Sequence, residues 1–92
     1  MKWNKEMLIE AVRNTNLLPE KQKQALEVIC NSKYPLPSKI IEEKVGTTKQ
    51  RLAYSLRALE KRNFIVREKD GAYVYRPNYT RIEELIERYL DK

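Results

Sequence analysis

The 92-residue chain has no histidine and one cysteine, Cys30. A single thiol builds no disulfide framework. Without histidine the chain also lacks the ordinary zinc sites, the His-based triads and most general-base arrangements of small hydrolases. Glycine (2) and proline (4) are scarce, and 41% of the residues are hydrophobic, which excludes a disordered or low-complexity chain. Apolar runs such as Phe64-Ile65-Val66 fall far short of the ~20 residues that cross a bilayer. Met1-Lys2-Trp3-Asn4 is not the opening of a targeting segment. A chain of this length buries only roughly 60–65% of its unfolded surface, so its core is small and a deep catalytic cleft is not expected. These absences predict one domain over residues 1–92, cytoplasmic, without membrane association, cofactor or metal, and not an enzyme.

What is abundant is charge. Lys+Arg 19 against Asp+Glu 13 gives a net +6, and the excess is concentrated. Residues 1–32 carry five basic and four acidic side chains, residues 33–79 eleven and five, and residues 80–92 three and four. The densest stretch holds Lys49, Arg51, Arg57, Lys61, Arg62, Arg67 and Lys69 against Glu60 and Glu68. A positive middle between near-neutral ends is the electrostatic footprint of a polyanion binder.

The apolar periodicity predicts five helices and a hairpin. Asn4 suits the N-cap of a first helix over 4–16, with Met7, Leu8, Ala11 and Val12 at helical spacing. Pro19 suits the first turn of a second, striped by Ala25, Leu26, Ile29 and Cys30. Tyr34-Pro35-Leu36-Pro37 breaks that helix and leads, through Ser38 as a cap, into a short helix over 38–45, with Ile40, Ile41 and Val45 inward. Gly46 supplies a left-handed C-cap, and Thr47 or Thr48 caps a fourth helix over 49–62 with Leu52, Leu56 and Leu59 buried. The period then changes. Phe64–Arg67 and Ala72–Tyr75 form two strands joined at Lys69-Asp70-Gly71, with Tyr73 and Tyr75 assigned to packing, and Pro77 ends the second. Thr80 and Glu83 form a capping box for a last helix with Ile82, Leu85, Ile86, Tyr89 and Leu90 on one face. The expected fold is therefore mainly α with a small β-hairpin wing (α+β), divided into an N-terminal helix (1–18), a core (19–76) and a C-terminal helix (77–92).

On the fourth helix, Gln50, Tyr54, Arg57 and Lys61 fall opposite the leucine stripe, flanked by Arg51 and Ala58. Glu60 is its only acid, whereas a solvated helix face ordinarily mixes signs. Arg and Gln make bidentate hydrogen bonds to guanine and adenine edges in the major groove. Gln50, Arg51 and Tyr54 lie near the helix start, where base contacts are made in helix-turn-helix proteins. Thr47, Thr48 and Lys49 lie at the N-terminus, which attracts phosphate. Lys61 and Arg62, at the far end, suit a phosphate or else the helix C-terminus itself. Cys30, on an apolar stripe, is a small core residue.

Residues 19–76 resemble a winged helix-turn-helix DNA-binding domain of the dimeric ArsR/MarR-like type. The resemblance lies in Gln24–Ile29, in Pro37-Ser38-Lys39-Ile40-Ile41, in the turn Val45-Gly46-Thr47-Thr48, in Gln50–Glu60, and in Arg62-Asn63-Phe64-Ile65, where the family often has glycine at the place of Asn63. It implies a homodimer paired through the terminal helices, here Trp3, Met7 and Leu8 from one and Ile82, Leu85, Ile86 and Tyr89 from the other. It also implies a DNA-contacting wing. The family's arginine after the turn is Ala72 here, leaving Arg67 and Lys69 to reach the duplex. Metal-sensing members ligate through paired cysteines or His–carboxylate clusters that this chain lacks. The function implied is sequence-specific binding of double-stranded DNA, most simply by a transcriptional repressor. A plasmid or phage partition adaptor that links centromere repeats to a filament protein is the alternative, and a winged-helix protein-interaction module is a further one.

Overall fold

Asn4 begins the described chain by capping its first helix: its side chain accepts a hydrogen bond from the Met7 amide at 2.9 Å. The computed structural model describes residues 4–90, and of residues 89 and 90 the backbone only. Five helices and three short strands follow in order: α1 Lys5–Asn14, α2 Glu20–Asn31, β1 Leu36–Pro37, α3 Ser38–Val45, α4 Lys49–Lys61, β2 Ile65–Asp70, β3 Ala72–Pro77 and α5 Tyr79–Leu90. The fold is mainly α with a small antiparallel sheet, as the periodicity predicts. Among the described residues no helix is long and apolar enough to cross a membrane.

Four local features differ from the sequence reading. Leu36-Pro37 is not merely a breaker but a third strand, pairing with Tyr75 and Val74 so that the sheet order is β1-β3-β2. Proline is tolerated there because an edge strand leaves one side of its backbone unpaired. Ser38 is the first residue of α3 and makes no side-chain cap; Pro37 occupies the cap position. In the hairpin, Lys69 and Asp70 belong to β2, and the ladder runs from Ile65↔Pro77 to Asp70↔Ala72 around Gly71 at φ 75°. The chain reverses more tightly than a Lys-Asp-Gly turn implies. Similarly, α5 opens at Tyr79, the Ile82 amide bonding the Asn78 carbonyl, so Thr80 lies inside the first turn rather than at the cap.

The turns that aim α4 are set by backbone sterics. Gly46 takes φ 75°, ψ 39° and returns its amide to the Glu42 carbonyl at 2.9 Å. At the other end of α4, Asn63 sits at φ 67°. The Phe64 amide bonds the Leu59 carbonyl and the Asn63 amide bonds the Glu60 carbonyl, a Schellman closure whose accompanying apolar contact is Phe64 with Leu59 in one core. Asparagine is, after glycine, the residue that best tolerates this conformation.

The core gathers Leu8, Val12, Leu26, Ile29, Ile41, Leu56, Leu59, Phe64, Ile82 and Ile86, all at most 3% exposed. Four of the side chains expected at a dimer interface lie in this core. Leu8, Ile82, Leu85 and Ile86 are fully buried inside the single chain, where α1 packs on α5, and Met7 is half-buried against the same core. Two amphipathic helices lying on one small domain cover each other first, because intramolecular burial carries no association entropy. Trp3 and the Tyr89 side chain lie outside the described residues. Arg81 holds α5 to the end of α4, donating to the Arg62 carbonyl at 3.1 Å with its guanidinium 4.5 Å from the Phe64 ring centre.

Candidate nucleic-acid interface

Leu52, Leu56 and Leu59 anchor α4 against α2, α3 and β2, with Ser55 also buried between them. A helix fixed by that stripe presents the opposite side outward. Lys49, Gln50, Arg51, Tyr54, Arg57 and Lys61 are all exposed, Tyr54 at 71%. Thr47 is half-buried in the turn. Thr48 is the cap, its hydroxyl accepting from the Arg51 amide at 3.2 Å, while the amides of Lys49 and Gln50 have no partner within the helix by its geometry.

The charges of this face are uncompensated. Among the described residues the ion pairs are Arg13–Glu27, Arg67–Glu60, Arg76–Glu68 and Arg81–Glu84, none of which involves Lys49, Arg51, Arg57 or Lys61. Glu60, the only acid of α4, turns instead to Arg67 on β2 at 3.7 Å. That exposed pair contributes little energy, but it sets Arg67 beside the C-terminal end of the α4 face.

The hairpin gathers its own cations. Arg67 and Lys69 alternate on one face of β2, and the Tyr73 ring opposite lies 4.6 Å from the Arg67 guanidinium carbon and 5.8 Å from the Lys69 ammonium. Tyr73 is therefore a half-exposed platform for two cations, whereas Tyr75 packs on the core as expected. The period-2 pattern contained this signal: Arg67, Lys69, Tyr73 and Tyr75 share a face once the register is known. Arg62, counted among the basic residues, is exposed but tied to the fold, its guanidinium donating to the Leu17 carbonyl.

One feature the sequence reading passed over lies beneath the start of α4. Pro19, Lys21, Gln22, Gln50, Arg51, Tyr54 and Ser55 line a cleft of about 430 Å³ between the N-terminal turns of α2 and α4. Gln22 is 6% exposed, and among the described residues its Oε1 has no hydrogen-bond partner, a condition that costs ~1–3 kcal/mol. The signal was present: Gln22 precedes Ala25, Leu26 and Ile29 at i+3, i+4 and i+7, on the buried stripe of α2. Among the described residues no group of three acidic or cysteine side chains converges on a metal-sized site.

Neither the protein-family models nor the curated proteins compared with the chain match it. Function is therefore argued from the site's own chemistry.

Proposed function

We propose that the chain binds double-stranded DNA sequence-specifically, as a winged helix-turn-helix protein of the ArsR/MarR-like type, and acts as a transcriptional repressor. One observation carries this reading: the outer face of α4 holds Lys49, Arg51, Arg57 and Lys61 exposed and unpaired among the described residues, interleaved with Gln50 and Tyr54. A helix fits the major groove, and Gln50, Arg51 and Arg57 carry the amide and guanidinium groups that discriminate adenine and guanine edges. The turn at Thr47–Lys49 offers backbone amides to a phosphate. Lys61, Arg67 and Lys69 extend the positive surface along the strand backbone. A protein-interaction surface is disfavoured by the same face, which is basic and polar rather than apolar. In this reading two copies occupy neighbouring half-sites, and contact between them runs through surfaces other than the buried Leu8, Ile82, Leu85 and Ile86.

Genomic fragments captured by the protein, sequenced and then titrated as duplexes, test the proposal. Binding to the enriched duplex should fall ~10³–10⁵-fold between 50 and 200 mM salt if ~6–10 phosphates are contacted. Arg57→Ala or Gln50→Ala should cost ~1–3 kcal/mol on that duplex and relax its sequence preference, while Lys61→Ala weakens all duplexes alike. One enriched site supports a repressor; a tight array of repeats supports a partition adaptor. A folded Gln50/Tyr54/Arg57 triple-alanine variant that binds as tightly as the parent refutes the assignment of α4.

A further inference from the structure

The two faces of the β2–β3 hairpin differ in charge. Side chains alternate along each strand and directly opposed residues share a face, so the ladder sets Ile65, Arg67 and Lys69 on the side of Tyr73, and Glu68 and Asp70 on the side of Ala72 and Arg76. The first face is buried at Ile65 and carries two exposed cations without a carboxylate further out. On the second, Arg76 is bound to Glu68. Asp70, exposed beside Gly71 at the tip, has no ion pair among the described residues. The tip Asp70-Gly71-Ala72 holds no cation at all.

These two faces suit different surroundings. A narrow minor groove concentrates negative potential and draws in arginine and lysine, so a carboxylate at the tip is repelled from it. The cationic face is built for single phosphates instead. Arg67 lies 4.6 Å and Lys69 5.8 Å from the centre of the half-exposed Tyr73 ring. A long cationic side chain ordinarily loses rotamer freedom when it grips a phosphate, and a ring that already holds both cations reduces that loss. An arginine stacked on an aromatic face also keeps its N–H fork free for phosphate oxygens. Glu60 of α4 is 3.7 Å from Arg67, so this face continues the outer surface of α4 at its C-terminal end. We propose that the hairpin meets DNA on this one face: Arg67 and Lys69 each take a phosphate, Tyr73 is the positioning residue for both, and the tip reads no base in the minor groove. Sequence preference then comes from α4 alone. This wing geometry rests on the duplex-binding reading above.

Fluorescence polarisation on the captured duplex and on an unrelated one, across a salt series, tests it. Arg67→Ala and Lys69→Ala should each lower the slope of log K against log salt by ~0.9 and weaken both duplexes alike. Tyr73→Ala should weaken both by ~3–10-fold, the cost of ordering two released cationic side chains in the complex. Tyr73→Phe, which keeps the ring, should bind as the parent does. Inosine in place of guanine deletes only the minor-groove amino group, and at every position flanking the α4 half-sites it should change affinity less than twofold. Parent-like slopes in Arg67→Ala and Lys69→Ala, a Tyr73→Phe variant as weak as Tyr73→Ala, or a fivefold loss at an inosine-substituted flanking position overturns the wing geometry. Those results leave the assignment of α4 standing if the Gln50/Tyr54/Arg57 triple-alanine variant still loses the captured duplex. A parent protein that binds no duplex overturns both.

Discussion

Leu85 stands at the middle of α5, 1% exposed, on the helix that packs against α1. Replacing it with alanine removes the side chain from a site whose neighbours, Ile82, Ile86 and Leu8, are themselves buried and so cannot simply move into the space. Large-to-small changes of this kind cost ~2–5 kcal/mol. A 92-residue domain at ~0.05–0.15 kcal/mol per residue has roughly 5–14 kcal/mol in all. A loss of ~3 kcal/mol therefore takes a large share of the stability and lowers Tm by roughly 12–24 °C. The cost should be the same at low and high protein concentration, because the contact lies within one chain. Urea titrations of Leu85→Ala at two concentrations a hundredfold apart, with light scattering to give the mass, provide the measurement. A loss below ~1 kcal/mol, or one that shrinks at high concentration while the mass of the variant drops by half, would show that Leu85 is buried between copies instead, and that the packing of α1 on α5 is wrong.

Two further expectations concern the backbone and the thiol. Asn63, at φ 67°, should accept glycine with little change in stability, whereas Asn63→Val should cost ~1–2 kcal/mol because a β-branched side chain clashes in the left-handed region; equal stability of the two variants by urea titration would refute the strain argument. Burial, reinforced by the Glu27 charge, pushes the Cys30 thiol up to about 12 from its ordinary value of 9.0. Below pH 9 the thiol is protonated in both states and contributes no pH dependence. Above it the unfolded chain ionises first, so stability falls between pH 9 and 12, and burial shifts Tyr79 in the same direction. Urea midpoints at pH 8 and 10.5 should separate more for the parent than for Cys30→Ala; identical separations would mean that Cys30 is not held protonated by the fold.

The helices of this protein are legible in its sequence because each carries its own signal. The Leu52, Leu56 and Leu59 spacing fixes which side of α4 is outward, Asn4 and Thr48 mark two starts, and Gly46 marks an end by its freedom at positive φ. The basic excess in the middle of the chain marks a positively charged surface from composition alone. Other features depend on contacts between residues far apart. Leu36-Pro37 has no strand pattern of its own and becomes β1 only because β3 arrives beside it. Tyr73 becomes a platform for Arg67 and Lys69 only once the ladder around Gly71 sets which side chains oppose each other. Whether the stripes of α1 and α5 meet within a chain or between chains is invisible to periodicity, since an apolar face is the same whatever covers it; in the folded chain they cover each other. The burial of Gln22 beneath α4 is likewise a product of packing. Local sequence determined the elements and the sign of the surface, because propensity, capping and charge act within a turn or two of the chain. Pairing, burial and the cleft were decided by tertiary structure, because they depend on which elements are brought together from opposite ends of the chain.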